Sequence, residues 1–281
     1  MSAEEYLSSI NISELKENIE NFKKLDFENI SDFEIENAFI KILAVDNKIS
    51  NPIFTLTIPK NEYFCRIRNN YNYIDDFIKE KRFKIENLLN NPNAKMGRLN
   101  IENEKSLYLS KNLGTAIKEC NVKDGDIFTV TVFQPSIDLS IISTYIENKF
   151  GNVSEKNQEK ADLINHFIRD CLIKQESENK NIYRVTNIIA KILYKICESD
   201  GLLYFSSKDN KNFNLIINEK SINKLDVRYV FNCKKEENII FGQFVEIKDK
   251  QIIPNDISDE EKNEILKKIG CSIIKVNNDS Q

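Results

Sequence analysis

Glycine is scarce in this chain, and no two of its seven glycines are separated by a single residue. That excludes the Gly-x-Gly turn of a dinucleotide-binding βαβ unit and the P-loop, so a bound nucleotide must be held by side chains and not by a glycine cradle. Histidine is scarcer still: His166 stands alone. One imidazole cannot build a multi-histidine metal site, and any Ser-His or Cys-His catalysis would rest on it. It shares a helix with Ile164, Phe167 and Ile168 and reads as a residue of that helix's surface. Cysteine pairs are absent too. Cys65, Cys120, Cys171, Cys197, Cys233 and Cys271 are widely spaced with no Cys-x-x-Cys, a distribution that argues against zinc and against a disulfide scaffold and suits reduced, mostly buried thiols.

Basic blocks are missing as well. Lysines alternate with Glu, Asp and Asn, and the net charge is -4, so direct nucleic-acid binding is not expected. No apolar run approaches the length of a bilayer-spanning helix, and the opening residues Met1 to Tyr6 lack the basic start and apolar stretch of a secretory signal. The expectation is a soluble, cytoplasmic protein without membrane contact. With 281 residues, 41% of them hydrophobic and 30% charged, the chain can build one large domain with an appendage, or two modest ones.

Periodicity orders the rest. Ile12, Leu15, Ile19 and Phe22 recur at helical spacing, as do Ile35, Phe39, Ile42 and Leu43, and Ser31 with Glu34 forms a capping box for the second helix. Ser50-Asn51-Pro52 breaks that pattern, because proline disfavours helix at the residue before it. Residues 1–52 are therefore expected as a small helical segment, its apolar stripe serving as core packing, and residues 53–281 as the main domain. Extended segments are expected at 63–68, 107–110, 127–133, 202–206, 213–217 and 227–231. Two helices fall between the third and fourth of these, one burying Ile164 to Leu172 and one burying Ile188 to Ile196 with Gly201 as its stop. A capped helix at 258–268, ended by Gly270, and the apolar run Ser272 to Val276 close the chain. This irregular alternation predicts an α+β fold, not a doubly wound sheet.

Four short segments carry groups suited to chemistry. In Tyr63 to Arg68, strand alternation sets Phe64, Arg66 and Arg68 on one face, where two guanidiniums could clamp a diphosphate or simply form a solvated strand face. Gly97-Arg98-Leu99-Asn100 lets backbone approach a ligand beside a third guanidinium. The stretch Leu107-Tyr108-Leu109 leads through Gly114 into a short helix bearing Glu119, a surface charge or a catalytic carboxylate. Asp200 to Ser207 runs from a helix stop through an apolar strand to two hydroxyls, which in isolation mark a turn.

As an ordered set, Phe64-Cys65-Arg66, Gly97 to Asn100, Leu107-Tyr108-Leu109 with Glu119, Tyr183-Arg184-Val185-Thr186 and Asp200 to Ser206 resemble the RES domain family over roughly residues 62–218. The resemblance implies an ADP-ribosyltransferase-like fold, mixed sheets around an NAD cleft, and NAD as substrate with no further cofactor or metal. It also implies a toxin or defence effector that depletes NAD, held in check by a protein antitoxin or regulator; a homodimer is a further open assembly. Under it, Glu119 stabilises the ribose oxocarbenium, Arg66 and Arg98 hold the diphosphate and ribose side, Tyr108 packs on or orients the nicotinamide, and Ser206 hydrogen-bonds the amide or ribose. Tyr183 and Arg68 stand behind these. Two alternatives remain open at this point: mono-ADP-ribosylation of a protein by the same residues, and a silent scaffold acting as a binding or sensor module.

Overall fold

The computed structural model describes residues 2–45, 48–49, 55–69, 106–143, 153–173, 180–206, 208–209, 212–237, 239–248, 251–253, 258–270 and 275–276. In chain order these form α1 (Ala3–Ser9), α2 (Ile12–Lys23), α3 (Asp32–Leu43), β1 (Ala44–Val45), β2 (Lys48–Ile49), β3 (Thr55–Ile58), β4 (Phe64–Asn69) and β5 (Leu107–Ser110). Then follow α4 (Leu113–Glu119), β6 (Ile127–Pro135), β7 (Leu139–Ser143), α5 (Glu155–Ile173), α6 (Lys180–Cys197), β8 (Gly201–Phe205) and β9 (Phe213–Ile217). A 3-10 turn (Glu219–Lys224), β10 (Leu225–Lys235), β11 (Ile239–Lys248), β12 (Gln251–Ile253), α7 (Asp259–Lys268) and β13 (Lys275–Val276) complete them. Helices and strands mix in the α+β manner that the sequence predicts, and the chain divides into two compact units.

The first unit holds Met1–Thr57, Asn93–Glu104 and Ser140–Tyr204. Both early helices bury the predicted stripes: Leu15, Ile19 and Phe22 from α2, and Ile35, Phe39, Ile42 and Leu43 from α3. Ser31 caps α3 as expected, accepting from the Glu34 amide while the Glu34 carboxylate accepts from the Ser31 amide. The stripes meet α5, where Phe167 lies 5.2 Å from the Phe22 ring and 6.0 Å from the Phe39 ring. Polar anchors tie the same layers. Buried Lys160 donates to the Leu7 carbonyl at 2.6 Å, and Arg184 on α6 donates to Asp32 Oδ1, the Phe27 carbonyl and the Ile30 carbonyl. These bonds tie helix-end and loop acceptors of the first forty residues to α5 and α6, so the early helices share a core with them. In this unit β7 and β8 pair in parallel, with Ile142 opposite Leu202. One expectation is corrected. Gly201 opens β8 and does not stop α6; the chain leaves the helix at Glu198, whose φ of 48° is left-handed.

The second unit holds Ile58–Pro92, Lys105–Leu139 and Phe205–Gln281. Its strands run in the order β12-β11-β10-β6-β4-β5-β9, with β13 parallel to β11. Cys65 and Ile67 face a core of Leu113 and Ala116 from α4, Phe128, Val130 and Val132 from β6, and Ile265, Leu266 and Ile269 around α7. The arginines of β4 therefore take the opposite strand face, as alternation predicts. Gly270 ends α7 at φ 67°, also as expected, and its carbonyl accepts from the Asn112 amide at 3.2 Å. Asn112 is the N-cap of α4, its Oδ1 accepting from the Thr115 amide, and Leu113 N donates to Ile269 O at 2.8 Å. Thus the end of α7 sets where α4 begins, and α4 carries Glu119 at its last residue.

Candidate active site

Glu119 is placed against local preference. A carboxylate in the final turn of a helix faces the outward-pointing carbonyls, which repel it. Two donors offset that repulsion. Ser206 Oγ donates to Glu119 Oε1 at 2.5 Å, and Asn214 Nδ2 donates to the same oxygen at 2.8 Å. Among the described residues Oε2 of Glu119 takes no hydrogen bond, so the half-buried carboxylate keeps one oxygen for a ligand.

The hydroxyl of Ser206 is fully committed. It accepts from the Lys208 amide at 3.1 Å and the Asp209 amide at 2.9 Å. A hydroxyl has two lone pairs and one proton; with both lone pairs engaged, the proton is directed at Glu119. Ser206 is 1% exposed, so water does not compete. The turn that follows is pinned to α4 through Asp209, whose Oδ2 accepts from Thr115 Oγ1 at 3.1 Å, Lys118 Nζ at 3.1 Å and Asn212 Nδ2 at 3.0 Å. Ser206 N donates to Asn212 O at 3.0 Å, and the Phe205 and Phe213 rings lie 4.8 Å apart, which brings β9 back beside the serine.

The neighbouring strands position the other residues of interest. Ser110 pairs with Cys65 on one side and Asn214 on the other, and Tyr108 pairs with Ile216. Tyr108, half-buried, therefore shares a sheet face with Asn214 and with the covering helix α4. Arg66 and Arg68, also half-buried, stand on the other face of β4 opposite Thr131 and Thr129. The Thr129 hydroxyl donates to Asn232 Oδ1 at 3.2 Å, extending a polar row along that face. Desolvation pushes the Cys120 thiol up to about 11, while Arg66 pulls it down and Glu119 raises it further. Cys120 donates to the Ile67 carbonyl of β4, so this thiol sits where both charges act on it.

Of the residues singled out in the sequence, the structure joins Glu119 and Ser206 directly and sets Tyr108 on the same sheet face. Arg98, with Gly97 to Asn100, lies outside the described residues. Tyr183 is half-buried on α6 in the other unit, its carbonyl accepting from Thr186 Oγ1 at 3.0 Å. His166 is an exposed helix residue whose Nδ1 lies 2.7 Å from the Asp162 carbonyl, as expected. Sequence reasoning missed Asn214 and Asp209. The signal for Asn214 is one amide inside the apolar run Phe213-Asn214-Leu215-Ile216-Ile217, where an unbonded polar group would be costly.

Comparisons with known proteins add the following. The family model for the RES domain matches residues 75–232, more than half of the chain. That span takes in Arg98, Tyr108, Glu119, Tyr183 and Ser206 and begins after Arg66 and Arg68. A search of curated proteins finds no match. Among solved structures, one chain from the crystal structure of the M. tuberculosis MbcT-MbcA toxin-antitoxin complex is similar, with 11% identity and a TM-score of 0.37, over 63% of this chain and 86% of that one. A likeness this distant carries no argument about activity. No helix of the described residues is long and apolar enough to cross a membrane.

Proposed function

The chain belongs to the RES domain family, and from that premise we propose that it is an enzyme which breaks the nicotinamide-ribose bond of NAD and passes the ADP-ribosyl unit to water or phosphate. The observation that carries this reading is the carboxylate of Glu119, held through one oxygen by Ser206 and Asn214, with no hydrogen bond to the other oxygen among the described residues.

The chemistry needs little more than that. When the bond from ribose C1′ to the pyridinium nitrogen breaks, the electron pair leaves with nicotinamide, which departs neutral and needs no general acid. Positive charge develops at C1′ and the ring oxygen, as in glycoside hydrolysis. Oε2 of Glu119, accepting from a ribose hydroxyl, would stabilise that charge more in the transition state than in the ground state. Water or phosphate then attacks C1′, and attacking water releases a proton. Tyr108 would orient the nicotinamide ring, and Arg66, which stands on the opposite face of β4, would supply positive charge for the diphosphate on the family resemblance alone. Arg68, Arg98 and Tyr183 enter the reading as substrate-holding residues on the family resemblance.

In this reading the protein is a cytoplasmic toxin or defence effector that depletes NAD and is restrained by a protein antitoxin. The test is nicotinamide release from NAD by the purified protein beside its Glu119→Gln variant. The wild type should turn over and the variant should fall by about 100- to 1000-fold, since the lost charge is aligned with the transition state. A labelled protein in place of free ADP-ribose would redirect the reading to protein modification. Equal release by both proteins would remove Glu119 from the chemistry, and no release from either would turn the chain into a silent scaffold.

A further inference from the structure

We propose that Asn214 is a positioning residue for Glu119, setting which carboxylate oxygen meets the substrate; this rests on the NAD-cleaving reading above. An ionised carboxylate only accepts hydrogen bonds, so the Asn214 amide must present its NH2 group to Oε1, as the 2.8 Å contact has it. The side chain is 5% exposed in a strand that is otherwise apolar. Burial of an amide there is costly unless it is bonded, and its one described partner is Glu119.

The two donors to Oε1 differ in how they are supported. Ser206 lies just past the end of β8, where the chain turns. Asn214 lies inside β9, with its backbone in register opposite Ser110 on β5. Ser110 is itself opposite Cys65 on β4, so Asn214 is fixed to the central strands of its sheet. Asn214 thus holds the carboxylate from within a paired strand, beside the hydroxyl of Ser206 on the same oxygen. With both donors on Oε1, rotation of the carboxylate about its last bond is suppressed and Oε2 is held at one place. Such a residue acts on the rate of the chemical step and not on the binding of NAD.

The experiment measures kcat and KM for nicotinamide release by Asn214→Ala and Asn214→Ser, each also combined with Glu119→Gln. Serine at 214 is polar but too short to reach Oε1, so both single variants should lose about 10- to 100-fold in kcat with KM within about threefold of wild type. In the Glu119→Gln background neither substitution should reduce the rate further, because its effect passes through that carboxylate. Full kcat in either folded single variant would overturn the proposal, as would a loss confined to KM or the same fractional loss with and without Glu119. If the wild type releases no nicotinamide, the NAD reading fails, and Asn214 is then judged by its side-chain amide resonances in nitrogen-15 spectra. A carboxylate-bonded amide exchanges slowly and shifts markedly in Glu119→Gln; unchanged resonances would overturn the positioning role independently of turnover.

Discussion

Replacing Ser206 with alanine removes three hydrogen bonds at one atom, and their surroundings set the magnitude. The bond to Glu119 Oε1 is charge-assisted and made from a residue 1% exposed; its loss costs about 1.5–3 kcal/mol, toward the lower value because Glu119 is half-buried and keeps Asn214. The Asp209 amide is half-buried and loses its acceptor, adding about 1 kcal/mol. Lys208 is exposed, so its amide turns to water at little cost. The expected destabilisation is roughly 2–3 kcal/mol, which for a chain of 281 residues lowers Tm by about 3–5 °C. The chain has no tryptophan, so unfolding is followed by far-ultraviolet circular dichroism as a function of urea. In Glu119→Gln, part of this cost should already be absent, giving a coupling of about 1 kcal/mol between the two positions. A loss under about 0.5 kcal/mol, or strict additivity with Glu119→Gln, would refute the argument that the serine proton is committed to the carboxylate.

Gly270 and Cys120 provide two further tests. At Gly270, φ is 67° and an added Cβ would fall 2.4 Å from Asn112 Nδ2, so Gly270→Ala should cost about 1–3 kcal/mol and disturb the cap of the helix that bears Glu119; full stability and full NAD turnover would show that the end of α7 does not set α4. Cys120 is an exposed residue, but its sulfur is turned onto the Ile67 carbonyl and its thiol is pushed up to about 11, so it should form less thiolate near neutral pH than an unperturbed thiol. Alkylation at Cys120 should therefore be slow at neutral pH and accelerate until pH reaches about 11, and rapid labelling at neutral pH would show that the thiol is not turned into β4.

Local signals were enough for much of the fold. The apolar stripes of α2, α3, α5 and α6 recur at helical spacing, and the Ser31 and Glu34 box forms as its chemistry requires. Elements without a clean local signature escaped. The helix α1 has seven residues and buries Tyr6 and Leu7, too short a stripe for periodicity to register. Strand β7 is a five-residue run in a parallel pair, where alternation is not expected, and β11 carries Gly242 midway, which reads as a break. The early helices read as a separate segment because contiguity is visible in a sequence, whereas the bonds from Lys160 and Arg184 that join them to α5 and α6 span about 150 residues.

The sequence by itself determined the residue types: a chain without a glycine cradle or a histidine cluster, with an ordered series of arginine, tyrosine, glutamate and serine whose spacing marks the RES domain. Only the tertiary structure decided how those groups meet. Glu119 and Ser206 lie 87 residues apart and Glu119 and Asn214 95 apart, yet all three converge on one oxygen. Helical and strand periods report which face a residue takes within its own element; which elements then lie side by side is settled by strand register and by the burial of a shared core. Asn214 had no motif to announce it because its role depends on the pairing of β9 with β5 and on the placement of α4 by the end of α7.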